Sequence, residues 1–129
     1  MYAEFEVHRT MICDRVRTEA FRRAIDSAVR PGDIVLDVGA GSGILSVFAA
    51  RAGAARVYAV ERTSTAVLAQ ELAAANGVAE IVRICATTTG TTVAAMVAIG
   101  ASATTSPALM APSGVRWPVP RYGLAILGP

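Results

Sequence analysis

An apolar run that ends in alternating glycines constrains this chain more than any other feature. Ile34-Val35-Leu36-Asp37-Val38 is short, rich in β-branched residues and interrupted by a single acid. Turn residues bound it on both sides, so it reads as a buried parallel strand. Gly39-Ala40-Gly41-Ser42-Gly43 follows directly. The spacing then predicts a helix from about Gly43 to Arg51, ended by Gly53. A bend without β-carbons reaches backbone angles closed to other residues and lets a ligand come close. The N–H groups at the start of the helix are then expected to point at that ligand.

The flanking segments extend the alternation of strand and helix. Met11, Val16, Ala20, Phe21, Ala24, Ile25 and Ala28 recur at three- and four-residue steps, which predicts one helix over residues 8–29. Pro31-Gly32 stops it. Arg56 to Glu61 reads as the second strand and residues 64–75 as a helix, with Ser64 as its cap and Asn76-Gly77 as its stop. Glu80 to Ile84 reads as the third strand. This order defines an α/β fold, a partial doubly wound parallel sheet of the Rossmann-like kind with an N-terminal helix. Only one half of such a sheet is built, which leaves the first strand without its other neighbour. Val93 to Ile99 is the expected surrogate fourth strand. Failing that, self-association through the open edge is expected. Leu124-Ala125-Ile126-Leu127 fits one last short strand.

Composition changes sharply along the chain. All ten acidic residues lie at or before Glu80, and Ile84 to Val115 carries no charge. Thr87 to Thr92 is low in complexity, and prolines at 107, 112, 118, 120 and 129 prevent any long element near the end. The expected division is therefore a core over residues 1–86 and a divergent segment over 87–129. A membrane span is not expected, since the apolar part of the uncharged run falls well short of the ~20 residues required. A net charge of +2, dispersed, argues against nucleic acid as a partner. Cys13 and Cys85 match no metal or redox spacing, and a reduced cytoplasmic setting is the expectation.

Glu61, at the tip of the second strand, completes the glycine bend. A carboxylate there accepts hydrogen bonds from both hydroxyls of a ribose. Bend and acid together mark an adenosine-containing ligand more specifically than the bend alone. The dinucleotide fingerprint Gly-x-Gly-x-x-Gly is not met, because position 44 is Ile and the third glycine comes one residue early. Asp37 also stands where dinucleotide-binding strands are usually apolar. Both points favour S-adenosylmethionine over NAD. An NAD(P)-dependent oxidoreductase is the weaker reading, and a plain glycine turn beside a solvated Glu the bland one.

Val35 to Ser46, continued by Phe48-Ala49-Ala50-Arg51-Ala52-Gly53-Ala54 and by Val57-Tyr58-Ala59-Val60-Glu61, resembles the first motifs of the protein arginine N-methyltransferases. These are S-adenosylmethionine-dependent enzymes of the class I, Rossmann-like methyltransferase fold. Tyr2, His8, Met11, Asp14, Arg17, Thr18, Ala24 and Ile25 also fall at the spacing of that family's cofactor-covering helix, with Phe21 in the place of its usual Tyr. The resemblance covers roughly residues 2–84. It implies that Arg17 pairs with the cofactor's carboxylate, where a forked guanidinium is well suited. It implies that Met11 packs near the sulfur or adenine side and that His8 lines the same pocket. Asp37, Gly39, Gly41 and Gly43 would contact the methionine part and Glu61 the ribose. Read from the residues alone, Met11 is equally a core residue, His8 an ordinary helix-end histidine, and Arg17 a surface charge paired with Asp14.

The resemblance also implies a reaction: methyl transfer to an arginine-containing protein or a small-molecule acceptor, dominated by positioning, worth ~7–11 kcal/mol. The family's substrate-orienting acids follow its fourth strand, and here no acid follows Glu80. The acid that the family places after its third strand is likewise missing from Cys85-Ala86-Thr87. The expectation is thus a truncated methyltransferase that lacks the acidic substrate loop, with no catalytic or metal-binding residue assigned. A frameshift in the source gene accounts economically for the charge-poor tail. The alternative is a non-catalytic module that binds S-adenosylmethionine or S-adenosylhomocysteine.

Overall fold

A computed structural model describes residues 2–86, 116–119 and 124–128. The elements run α1 (Tyr2–Cys13), α2 (Arg15–Ala28), β1 (Ile34–Val38), α3 (Ile44–Arg51), β2 (Arg56–Glu61), α4 (Thr65–Ala75), β3 (Val82–Ala86), β4 (Arg116–Val119) and β5 (Leu124–Gly128). They form a five-stranded sheet in the order β3-β2-β1-β5-β4. β1, β2 and β3 are parallel, as the alternation of strand and helix requires.

The predicted single N-terminal helix is two helices. Asp14 interrupts it with an extended backbone, and its Oδ1 accepts the Arg17 N–H at 3.1 Å. An aspartate at that position satisfies a donor that would otherwise lack a partner, and so begins a new helix. The Thr18 hydroxyl donates to the Met11 and Ile12 carbonyls, which fixes the angle between α1 and α2. The break also turns the predicted apolar face. Ile25 is fully buried, whereas Val16 is 84% exposed. The third strand begins two residues later than its apolar pattern predicts, because Ile81 and Val82 still donate to the Val78 carbonyl in the turn after α4.

The place beside β1 is filled. β5 pairs antiparallel with it, Asp37 opposite Leu124 and Leu36 opposite Ala125. Val93 to Ile99 lies outside the described residues, and the strand occupying that place is the short C-terminal one. Because β5 covers the edge of β1, the ground for expecting self-association there is removed. β4 is the outer strand on that side and carries Pro118, a residue that sheets tolerate at an edge where no ladder N–H is needed. Strands from the 87–129 segment thus share a sheet with strands from the 1–86 segment.

The main core lies between the sheet and the helices α2, α3 and α4. Ile25, Val35, Val47, Val57, Leu124 and Ile126 are its largest fully buried members. Aromatics are scarce, so alanines at 49, 50, 69 and 73 let α3 and α4 approach the sheet closely. Among the described residues no helix is long and apolar enough to cross a membrane.

Candidate functional site

The site forms where β1 and β2 end and α3 begins. Gly39, Gly41 and Gly43 all have positive φ, at 72°, 55° and 78°. That turns the chain sharply from β1 into α3, with Gly43 as the residue before the first helical turn. Two of these positions also require close approach. A methyl group on Gly41 would stand 2.6 Å from His8 Cε1, and one on Gly43 would stand 3.0 Å from Ala69 Cβ. The first glycine lets α1 close over the bend; the second lets α4 pack behind it.

The backbone N–H groups of the bend itself are mostly used inside the protein. Gly39 and Ala40 both donate to the Val60 carbonyl, at 2.8 and 3.0 Å, and Gly43 donates to Ala40 at 2.8 Å. Gly41 donates to Glu61 Oε2 at 2.7 Å. The bend therefore offers a ligand a close, shaped surface more than a row of donors.

A cavity of about 160 Å³ opens above it. His8, Met11 and Arg17 line it from α1 and α2, and Gly39 and Gly41 line it from the bend. Sequence reasoning assigned all five to one ligand, and the fold brings them together. Among the other residues of the wall, Ile12, Ile44, Leu45 and Phe48 were not singled out as site residues. Their signal was ambiguous, because apolar helix residues facing a cavity have the same periodicity as those facing a core. Arg17 is exposed at the rim, its guanidinium carbon 5.2 Å from the centre of the Phe21 ring. Such stacking steadies a cation without neutralising it. Asp14 takes the Arg17 backbone N–H as a helix cap, where helical spacing predicts a pairing of the two side-chain charges.

Asp37, Gly43 and Glu61 stand behind the cavity wall. Asp37 is 1% exposed, and the Ser46 hydroxyl donates to its Oδ2 at 2.7 Å. Asp37, expected to contact the methionine part of a ligand, has its side chain tying β1 to α3 beneath the bend. Burial pushes the Asp37 carboxyl up to about 6; the Ser46 hydroxyl opposes that rise and the neighbouring Glu61 carboxylate adds to it. Glu61 also accepts the Thr63 N–H at Oε1, 2.8 Å away. Burial pushes Glu61 up, but the N–H groups of Thr63 and Gly41, the Thr63 hydroxyl and the Arg62 N–H together outweigh it. The carboxyl is held below its ordinary value and stays ionised at neutral pH. Ser64, the predicted cap of α4, makes no side-chain capping bond. Among the described residues no group of His, Cys, Asp and Glu side chains is placed to hold a metal ion.

A glycine bend between a parallel strand and its helix, with an acid on the tip of the next strand, is the nucleotide-cradling corner of a Rossmann-like domain. Residues 17–100 match the family model described as ribosomal protein L11 methyltransferase (PrmA), and the chain belongs to that family. Its N-terminal region is similar to protein arginine N-methyltransferases. It is 49% identical over 81 residues to "Probable protein arginine N-methyltransferase 6" of Arabidopsis thaliana, a match covering 61% of this chain and 19% of the relative. Among solved structures, "Crystal structure of PRMT6" superposes with a TM-score of 0.69 at 34% identity, covering 79% of this chain and 30% of that one. "Crystal structure of PRMT6-SAH" gives 0.65 at 34% identity, covering 75% and 29%. The chain spans about a fifth of the length of that curated relative.

Proposed function

We propose that this chain binds S-adenosylmethionine as the cofactor-holding portion of a protein arginine methyltransferase. The observation that carries the reading is the meeting of Arg17, His8 and Met11 over a glycine bend tethered to Glu61. The residues fit the group chemically. Arg17 offers a cation to the ligand's carboxylate. Glu61 keeps an ionised pair of acceptors beside the bend, suited to ribose hydroxyls. Met11 supplies a polarisable surface near the sulfur. Gly39 and Gly41 allow close approach, while Asp37 and Gly43 fix the wall from behind. A cavity of about 160 Å³ suits the short amino-acid arm of such a ligand, being smaller than the roughly 300–1,000 Å³ that encloses a whole drug-sized molecule.

S-adenosylmethionine, when bound, supplies a methyl group activated by its sulfonium sulfur. This chain's residues hold and orient; none is assigned to the acceptor. The acceptor is proposed to be an arginine-containing protein, in keeping with the names of the relatives. The carboxylates that would orient a guanidinium have no candidate after Glu80, so the chain alone is expected to bind cofactor and to transfer methyl groups slowly or not at all.

Calorimetric titration with S-adenosylmethionine, S-adenosylhomocysteine and NAD tests the reading. The two adenosyl ligands are expected to bind and NAD not to. Arg17→Ala should weaken binding about 10- to 100-fold, the size of a lost charge-assisted contact. A folded chain that ignores both adenosyl ligands at millimolar concentration refutes the proposal. Methyl transfer to arginine-rich peptides and to small acceptors, measured in parallel, identifies the acceptor class.

A further inference from the structure

We infer that Thr63, backed by Thr65, is a positioning residue for ribose recognition, holding the Glu61 carboxylate in place through its N–H and its hydroxyl. The inference rests on the cofactor reading above and extends it to residues outside the cavity wall.

Glu61 is the last residue of β2 and Thr65 the first of α4, so three residues turn the chain between strand and helix. Within that turn the Thr63 N–H donates to Glu61 Oε1 at 2.8 Å. The Thr65 N–H donates to Thr63 Oγ1 at 3.3 Å, and the two threonine hydroxyls lie 2.5 Å apart. Thr65 is 3% exposed, so its hydroxyl has little access to water and must find a partner in the protein. If the buried Thr65 O–H donates to Thr63 Oγ1, that oxygen accepts two bonds, and its own proton is left to donate to Glu61. The Thr63 hydroxyl is one of the groups that hold the Glu61 carboxyl low.

Geometry gives this a consequence for binding. Glu61 Oε2 is fixed to the Gly41 N–H and Oε1 to the Thr63 N–H. The two oxygens are held in one orientation by donors on two different walls. A carboxylate anchored on only one side would rotate about its last bond and lose the two-point match to a diol. Without the Thr63 hydroxyl, burial would also draw the carboxyl upward, so a proton would compete for the site at less acidic pH.

The experiment compares wild type, Thr63→Val and Thr63→Ser in two measurements. The first is the ¹³C carboxyl titration of Glu61 in the free protein. The second is calorimetric affinity for S-adenosylhomocysteine and its 2′-deoxy and 3′-deoxy counterparts from pH 4 to 8. Thr63→Val is expected to move the Glu61 titration upward and to weaken S-adenosylhomocysteine about tenfold at pH 7. The acid loss of affinity should begin at higher pH. The penalty should shrink for the deoxy ligands, and Thr63→Ser should restore both measurements. A merely structural role for Thr63 would weaken all ligands equally and leave the titration in place, and that result overturns the inference. If wild type binds none of the ligands, the cofactor reading and the ribose role fall together; the carboxyl titration then still reports whether Thr63 holds Glu61.

Discussion

At Asp37 the fold retains a carboxyl group that burial pushes up to about 6, against an ordinary value of 3.8. Between those two values the folded chain holds a proton that the unfolded chain has released. The contribution of Asp37 to stability therefore falls as pH rises from about 4 to about 6 and is level above that. The shift corresponds to roughly 3 kcal/mol of destabilisation at neutral pH. Asp37→Asn should recover part of it and flatten the dependence in that window, as read by thermal melts at several pH values; an Asn variant no more stable than wild type at pH 7 contradicts the account. Gly41→Ala makes a second test. Its cost is backbone strain at a φ of 55° together with displacement of the flexible end of His8. The expected loss is about 1–2 kcal/mol of stability, with a larger effect on cofactor affinity, measured by denaturant melts and calorimetry. The acids at 37 and 61 were legible in the sequence because each interrupts or ends an apolar strand. The partners that fix their roles were not, because neither a Ser nine residues beyond an Asp nor a Thr two residues beyond a Glu has a periodic signal.

The elements from β1 to α4 were legible because each is short and strongly patterned, and all but β2 are closed by glycine. β1 and β2 run over Ile34–Val38 and Arg56–Glu61, as their apolar runs predict. The N-terminal helix pair was misread as one helix because the apolar spacing continues across Asp14, while the capping bond depends on a local backbone turn. Asp14→Ala should cost about 1 kcal/mol and loosen the first turn of α2, which carries Arg17 into the site. Urea melts would show the stability change, and titration with S-adenosylhomocysteine the accompanying loss of affinity. Asp14→Asn, which keeps the acceptor, should behave like wild type.

For the whole molecule, the decisive pairing joins β1 to β5. The sequence contained β5 as a short apolar run, but its partner was not readable. Nothing local links Asp37 to Leu124, and the alternation of strand and helix predicts parallel neighbours only. Ile126, fully buried beside β1, should cost about 2–5 kcal/mol as Ile126→Ala, and sedimentation should then detect association through the uncovered strand edge. The same pairing has a temporal side. A ribosome makes the central strand long before the strand that seals it. Throughout the intervening synthesis, one flank of the nascent domain stays unsealed. Chaperone dependence during translation, and slow refolding after dilution from urea, are the natural outcomes of so distant a pairing.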